Sequence, residues 1–321
     1  MLDLSQVTDI LLGNTPVEQV SDSRGNVLWS AAPVVLPNYF YVEDISGSNN
    51  TLSIVKSNAN APTIEVFKST DRTNWSSMGT TDTTAITATV PANSKLYLKA
   101  VADRWGTGDS YYNTISMVSY FNVGGNTMSL LYGDNFENQT TFPTANNNIF
   151  PKLFKNTQVV SAADLELPAT TLVDYCYYSM FIDCTTLTTA PVTLPATTLV
   201  NYCYQYMFQG CTALTTAPAL PATTLTTYCY HQMFNGCTAL TTAPELPATT
   251  LVLGCYHSMF NGCSSLNSVT SYAQDISATN CTSNWLNGVA AQGDFYNLGG
   301  ATYTSGDPSG IPSGWTEHNS L

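Results

Sequence analysis

LPATTLTTYCYHQMFNGCTALTTAP, running from Leu220 to Pro244, decides how the chain is read, because most of it occurs four times. LPATTL begins at Leu167, Leu194, Leu220 and Leu246, a nearly constant spacing. Each copy leads into a Cys-Tyr-x-x-Met-Phe block, at Cys176, Cys203, Cys229 and Cys255. A period of this size marks one small unit that buries its apolar face against the next copy of itself. Stacks of this kind offer extended contact surfaces more often than isolated catalytic pockets.

Wound at helical pitch, Cys229, Tyr230, Met233, Phe234 and Cys237 fill one arc, and His231, Gln232 and Asn235 fill the other. The block is therefore predicted to be an amphipathic helix with a Cys-Met-Cys-Phe core face. Gly236, like Gly210 and Gly262, suits its stop. Pro244 cannot continue a helix, so Leu240 is expected to point inward from a strand, with an extended return through Pro247 to Leu251. Helices need about twice the roughly 4.8 Å spacing of strands, which predicts a concave strand side.

Degenerate copies flank the four. Leu153-Phe154 stands one period before Met180-Phe181, and Cys281, Trp285 and Gly288 fall one period after Cys255, Met259 and Gly262. The repeat domain is predicted over 153–300. The Gly-, Ser- and Pro-rich tail from Asp294, with Trp315, is expected to be irregular, and 301–321 to form the cap.

Upstream, Thr51–Val55, Thr63–Phe67, Ala85–Val90, Lys95–Val101 and Thr114–Val118 read as short strands between polar turns, a β-sandwich over 34–122. The segment Phe67–Trp75 resembles the turn and core tryptophan of immunoglobulin- and fibronectin-like modules. Gly124-Gly125-Asn126 marks the passage into a connector over 123–152. Residues 1–33 read as a separate docking unit of short strands, with turns at Asn14-Thr15-Pro16 and Arg24-Gly25-Asn26 and a linker at Ser30–Pro33. A unit this small lacks a core of its own and is expected to dock on a partner or to oligomerise, a trimer being one guess.

All nine Lys and Arg lie at or before Lys155, accompanied by thirteen Asp and Glu; nine more acids follow Lys155, and no further Lys or Arg does. Such a surface repels phosphate backbones and anionic lipid, so neither nucleic acid nor membrane is expected as a partner. The N-terminus has no basic start and no long apolar run, so no secretory leader is expected. Eight of the nine cysteines form two columns, Cys176, Cys203, Cys229, Cys255 and Cys184, Cys211, Cys237, Cys263. On stacked helices neither column comes within disulfide range, so they are read as buried thiols. Zinc is the alternative, because His231 and His257 closely follow two of them, but no four-ligand cluster converges.

Phe208-Gln-Gly-Cys-Thr-Ala-Leu214 and Phe234-Asn-Gly-Cys-Thr-Ala-Leu240 resemble the core of BspA-like leucine-rich repeats, with Met where that family has Ala. The family's surface members are adhesins. The order of segments, ending in Gly-Ile-Pro-Ser-Gly-Trp at 310–315, is similar to proteins encoded by phages and prophages of gut Bacteroidetes, virion appendages of the crAss-like type among them. A protein freed by lysis needs no leader. The resemblance implies an α+β multidomain fold class: a small N-terminal β unit, an immunoglobulin-like β-sandwich, and an α/β leucine-rich-repeat solenoid with degenerate capping repeats. It also implies a virion fibre or decoration protein, bound to other virion proteins through its N-terminal unit. A bacterial adhesin is the alternative.

No phosphate loop, nucleophile elbow, zincin motif or calcium loop appears, so no enzyme, cofactor or metal is expected. A phage glycan depolymerase would need paired carboxylates, yet Glu245 aligns with Ala219 and Val192 in the neighbouring copies. Positions that differ between copies are the ligand-binding candidates: Tyr178, Gln205, Tyr206, His231, Gln232 and His257 on the predicted helices, and Thr216 and Glu245 on or beside the strands. Tyr and Gln suit neutral sugars or protein loops.

Overall fold

A computed structural model describes residues 11–12, 15–16, 19–21, 27–30 and 35–320. The chain divides into two compact units, Met1–Pro37 and Asn38–Leu321. In the first, β1 (Leu11–Leu12) pairs antiparallel with β2 (Thr15–Pro16), and β3 (Gln19–Ser21) with β4 (Val27–Ser30). The turn expected at Asn14–Pro16 thus has Thr15 and Pro16 in a strand. The Arg24–Asn26 turn and residues 31–33 of the linker lie outside the described residues.

The second unit opens with two sheets. One is six-stranded, in the order β14-β13-β5-β10-β7-β8, built from β5 (Tyr41–Asp44), β7 (Glu65–Ser69), β8 (Ser76–Thr80), β10 (Lys95–Ala100), β13 (Phe121–Asn126) and β14 (Val159–Glu166). The other is four-stranded, β11-β12-β6-β9, from β6 (Asn50–Lys56), β9 (Ile86–Val90), β11 (Gly106–Gly108) and β12 (Tyr111–Met117). Period-two alternation sends Leu52 and Ile54 of β6, Leu96 and Leu98 of β10, and Ile115 and Met117 of β12 into a common core. Next to these sheets the fully buried tryptophan is Trp105, not Trp75, and its indole N–H donates to the Leu130 carbonyl at 2.9 Å. Trp75, the expected core residue, is only partly buried, with Lys99 Nζ 4.3 Å from its ring. Gly124–Asn126 lie within β13, which pairs antiparallel with β5 and parallel with β14, so the sheet runs on into the repeats.

The repeats contain no helix. Among the described residues the helical structure is α1 (Ser129–Tyr132) and a 3-10 turn at Gly133–Asn135. The expected α+β class with an α/β leucine-rich-repeat solenoid is therefore overturned: the described residues are strands, turns and irregular segments with one short helix. Each predicted helix is a ribbon of overlapping β-turns. The N–H groups of Cys176, Tyr178, Met180, Ile182 and Cys184 donate to carbonyls three residues back. Those between them, on Tyr175, Tyr177, Ser179, Phe181 and Asp183, donate to Asn201, Cys203, Gln205, Met207 and Gln209 of the next copy. Half of the donors close turns and half hold the neighbouring coil.

The period is four, not 3.6. Tyr175, Ser179 and Asp183 have φ of 58°, 54° and 60°, and the pattern recurs at Tyr202, Tyr206, Gly210 and at Tyr228, Gln232, Gly236. A left-handed residue in every second turn lets the chain reverse direction and start the next turn. Cys176, Met180 and Cys184 share this four-residue step, as do Tyr177 and Phe181, and so all point inward. The reason turns win over a helix is spacing. The LPATTL side joins coils through strand-like bridges, Thr193 to Ala219 and Thr198 to Thr224. Strand-like bonding sets coils about 4.8 Å apart, where packed helices would need roughly twice that. The turn ribbon bonds coil to coil as well, so the mismatch that predicted a concave side has no basis.

Both degenerate copies join the stack. Phe150, Lys152 and Phe154 donate to Cys176, Tyr178 and Met180, and Tyr256, Ser258 and Phe260 donate to Cys281, Ser283 and Trp285. Inside, Phe154, Phe181, Phe208, Phe234 and Phe260 form one column, with centroids 5.0–5.6 Å apart. Tyr177, Tyr204, Tyr230, Tyr256 and Trp285 form another, at 5.7–6.2 Å. Burying each such ring contributes about 1.5–3 kcal/mol. The nine cysteines are buried and unpaired. The tail expected to be irregular supplies two strands of a parallel sheet, β15 (Ser268–Ser271), β16 (Gly293–Asn297) and β17 (Trp315–His318). No helix of the described residues is long and apolar enough to cross a membrane.

Candidate functional site

The first turn of the ribbon places tyrosine at the same position in three successive coils. Tyr175 and Tyr202 stack at 4.6 Å with 4° between their planes, and Tyr202 and Tyr228 at 5.5 Å and 12°. The fourth coil has Gly254 there. A Cβ on Gly254 would lie 2.2 Å from Tyr228 Cε1, so the Tyr228 ring rests on bare backbone.

Beside this ladder runs a second lane. Tyr178 meets Tyr206 edge-on at 5.6 Å, Tyr206 lies 5.2 Å from His231, and His231 lies 4.8 Å from His257. Gln205, itself buried, donates from Nε2 to His231 Nδ1 at 2.6 Å. Gln209 donates to Gln232 at 3.2 Å, extending a row of amides alongside the rings. His257 Nδ1 is buried without a partner among the described residues.

At the head of the lanes is a groove of about 480 Å³, lined by Gly108, Asp109, Asn148, Tyr175, Tyr178, Tyr202, Gln205 and Tyr206. Asp109 comes from the β11–β12 turn. Lys152 Nζ pairs with its carboxylate and also donates to its carbonyl at 2.9 Å. The Lys152 bond to the carboxylate, working against some desolvation, holds the Asp109 carboxyl below its usual range. Burial, reinforced by Asp109, pushes the Tyr178 hydroxyl up to about 12, and burial raises Tyr175 and Tyr206 too. The phenols thus stay protonated and act as donors. Burial, with His257 close by, lowers His231 from 6.5 to about 4, so it is neutral and accepts at Nδ1.

Six of the eight candidates, Tyr178, Gln205, Tyr206, His231, Gln232 and His257, meet on this one face, half-buried or buried rather than freely solvated. Thr216 and Glu245 do not join them. Thr216 is exposed and bridges to Thr189, and Glu245 lines a separate groove among Val192, Pro218, Pro221, Pro244 and Pro247. The slot of Tyr175, Tyr202 and Tyr228 does vary, with Gly254 in the fourth copy, and so carries the same signal, whereas Asp109 and Asn148 are brought in by the fold from outside the four copies. Another cleft, of about 610 Å³, lies by Tyr41, Lys95, Asp164 and Glu166, but its polar groups satisfy one another. Tyr41 donates to Asp164 at 3.0 Å, Asn38 donates to Glu166 at 2.8 Å, and Lys95 Nζ caps the Tyr41 ring at 3.9 Å.

Among the described residues no group of three or more His, Cys, Asp or Glu side chains could hold a metal ion. Of the residues lining the tyrosine groove, Asp109 is the one carboxylate, where glycoside hydrolysis uses a pair. What the face offers is aromatic edges, phenol donors and amides. Comparison with protein-family models, curated proteins and solved structures found no match to this chain.

Proposed function

We propose that the chain is a non-enzymatic binding protein whose tyrosine–histidine face contacts neutral, hydroxyl-rich glycans on a bacterial or mucosal surface. One observation supports this most: Tyr175, Tyr202, Tyr206 and Tyr228 all sit at positive φ, between 53° and 59°. That conformation costs a residue with a Cβ roughly 1–2 kcal/mol, and Gly or Asn much less. At the slot of Tyr175, Tyr202 and Tyr228 the other coils hold those cheaper residues, Asn148, Gly254 and Asn280, whereas the Tyr206 slot holds Lys152, Ser179, Gln232, Ser258 and Asn284 in the other coils. Bulky tyrosines kept where the backbone disfavours them point to a use for their side chains. Few charges on the face, and donors beside acceptors, suit a neutral polyol.

The setting we propose is a phage virion appendage, joined to other virion proteins through the N-terminal unit. It rests on the order of sequence segments and not on the leucine-rich-repeat fold, which is absent. Two measurements test the reading. A neutral-glycan array probed with the full chain and with Tyr206→Asn should show binding lost in the variant; equal signals from both would remove the face from the account. Mass spectrometry of purified virions should find the chain, and its absence there would favour the adhesin setting.

A further inference from the structure

We infer that this face takes a neutral polysaccharide lying along the stacking direction, about one sugar to each coil, in preference to a single terminal sugar. The inference rests on the glycan-binding reading above. In the ladder the ring faces are already occupied. Tyr202 is stacked on both sides, by Tyr175 at 4.6 Å and Tyr228 at 5.5 Å, and Tyr228 covers Gly254. A sugar cannot lie flat on a ring sandwiched in this way. What remains on offer is ring edges and phenol groups, one in each of the three coils of Tyr175, Tyr202 and Tyr228.

The second lane carries one ring per coil, at 5.6, 5.2 and 4.8 Å from Tyr178 through Tyr206 and His231 to His257, with Tyr206 one residue along from the slot that Tyr178, His231 and His257 share. A lone sugar meets one or two of these rungs. A pyranose chain linked through opposite corners of its rings advances by close to one coil per sugar and keeps each rung engaged. An extended peptide advances about 3.3 Å per residue and loses step after two rungs. The two ends of the lanes also differ. The Lys152–Asp109 pair stands at the Tyr178 end, while the row continues past His231 to His257, whose buried Nδ1 has no protein partner among the described residues.

The test is calorimetry on the full chain with graded oligomers of neutral glucans, mannans and galactans, from disaccharide to hexasaccharide. Each added sugar should tighten binding about three- to tenfold, as one further hydrogen bond would, up to the tetrasaccharide, with little gain beyond. Tyr228→Asn should flatten the later steps of that series and spare the first. Equal affinity for disaccharide and hexasaccharide, abolished by Tyr206→Asn, would overturn the polymer inference while leaving a glycan site in place. Failure of every neutral oligomer to bind would overturn the glycan reading as well.

Discussion

Cys211 Sγ lies 3.1 Å from the Phe181 carbonyl of the preceding coil and donates to it. The same bond joins Cys184 to Phe154 at 2.8 Å, Cys237 to Phe208 at 3.1 Å and Cys263 to Phe234 at 2.9 Å. The Phe181 carbonyl already accepts the Cys184 N–H that closes a turn, so the thiol supplies its second donor. Side chains of this column therefore point at backbone rather than at one another. That accounts for unpaired thiols in coils spaced closely enough for disulfides, where the helical-distance argument no longer applies.

Replacing Cys237 by Ala removes this donor and leaves a small void, which should cost about 1–2 kcal/mol in urea unfolding. Cys237→Ser, whose hydroxyl can donate to the same carbonyl, should cost less than Cys237→Ala. The reverse order would show that packing alone selects cysteine here.

Burial pushes the Cys184 thiol up to about 11 and raises the other column thiols. A thiol-specific reagent at mildly alkaline pH should leave the folded chain unmodified and react fully once denaturant is added. Rapid labelling of a column cysteine in the native chain would contradict the packed interior.

His231 has a folded value near 4 against an ordinary 6.5. The unfolded chain then binds more protons between those limits, so its contribution is fully present above about pH 6.5, falls as pH drops, and levels off below about pH 4. Protonated Nδ1 can no longer accept from Gln205. His231→Gln, which copies the residue at Gln205, should remove this part of the pH–stability profile, and an unchanged difference profile would show His231 to be freely solvated.

Gly236 and Gly254 separate two costs of a Cβ. At Gly236, with φ of 75°, the nearest atom would be 3.8 Å away, so Gly236→Ala should cost about 1–2 kcal/mol from conformation alone. Gly254→Ala adds the clash with the Tyr228 ring and should cost more. Equal losses in thermal unfolding would mean that Tyr228 does not rest on Gly254.

The stacking of copies is legible in the sequence because apolar residues recur at a fixed spacing, and the alignments of Leu153-Phe154 and of Cys281 to Gly288 place both terminal coils. The turn ribbon reads as a helix because a block as short as Cys229–Cys237 holds too few turns to separate a period of 3.6 from one of four. A signal is present in Asn280, Asn284 and Gly288, and in Asn148 and Asn156 on either side of Lys152. Asn and Gly at every fourth position are the residues that accept positive φ, which a helix would not use. The site is legible where copies differ, at Tyr178, Gln205 and His231. The slot of Tyr175, Tyr202 and Tyr228 differs too, through Gly254 in the fourth copy, while Asp109, arriving from a distant turn, is hidden.

Chemical unfolding of Tyr202→Asn bears most directly on whether these tyrosines are kept for contact or for stability. Lost ring stacking and relieved backbone strain are each worth about 1 kcal/mol and oppose one another, so stability should change by no more than about 1 kcal/mol. A loss of about 3–5 kcal/mol, the size expected for Phe208→Ala in the buried column, would make Tyr202 part of the core and leave the proposed contact face without its main support.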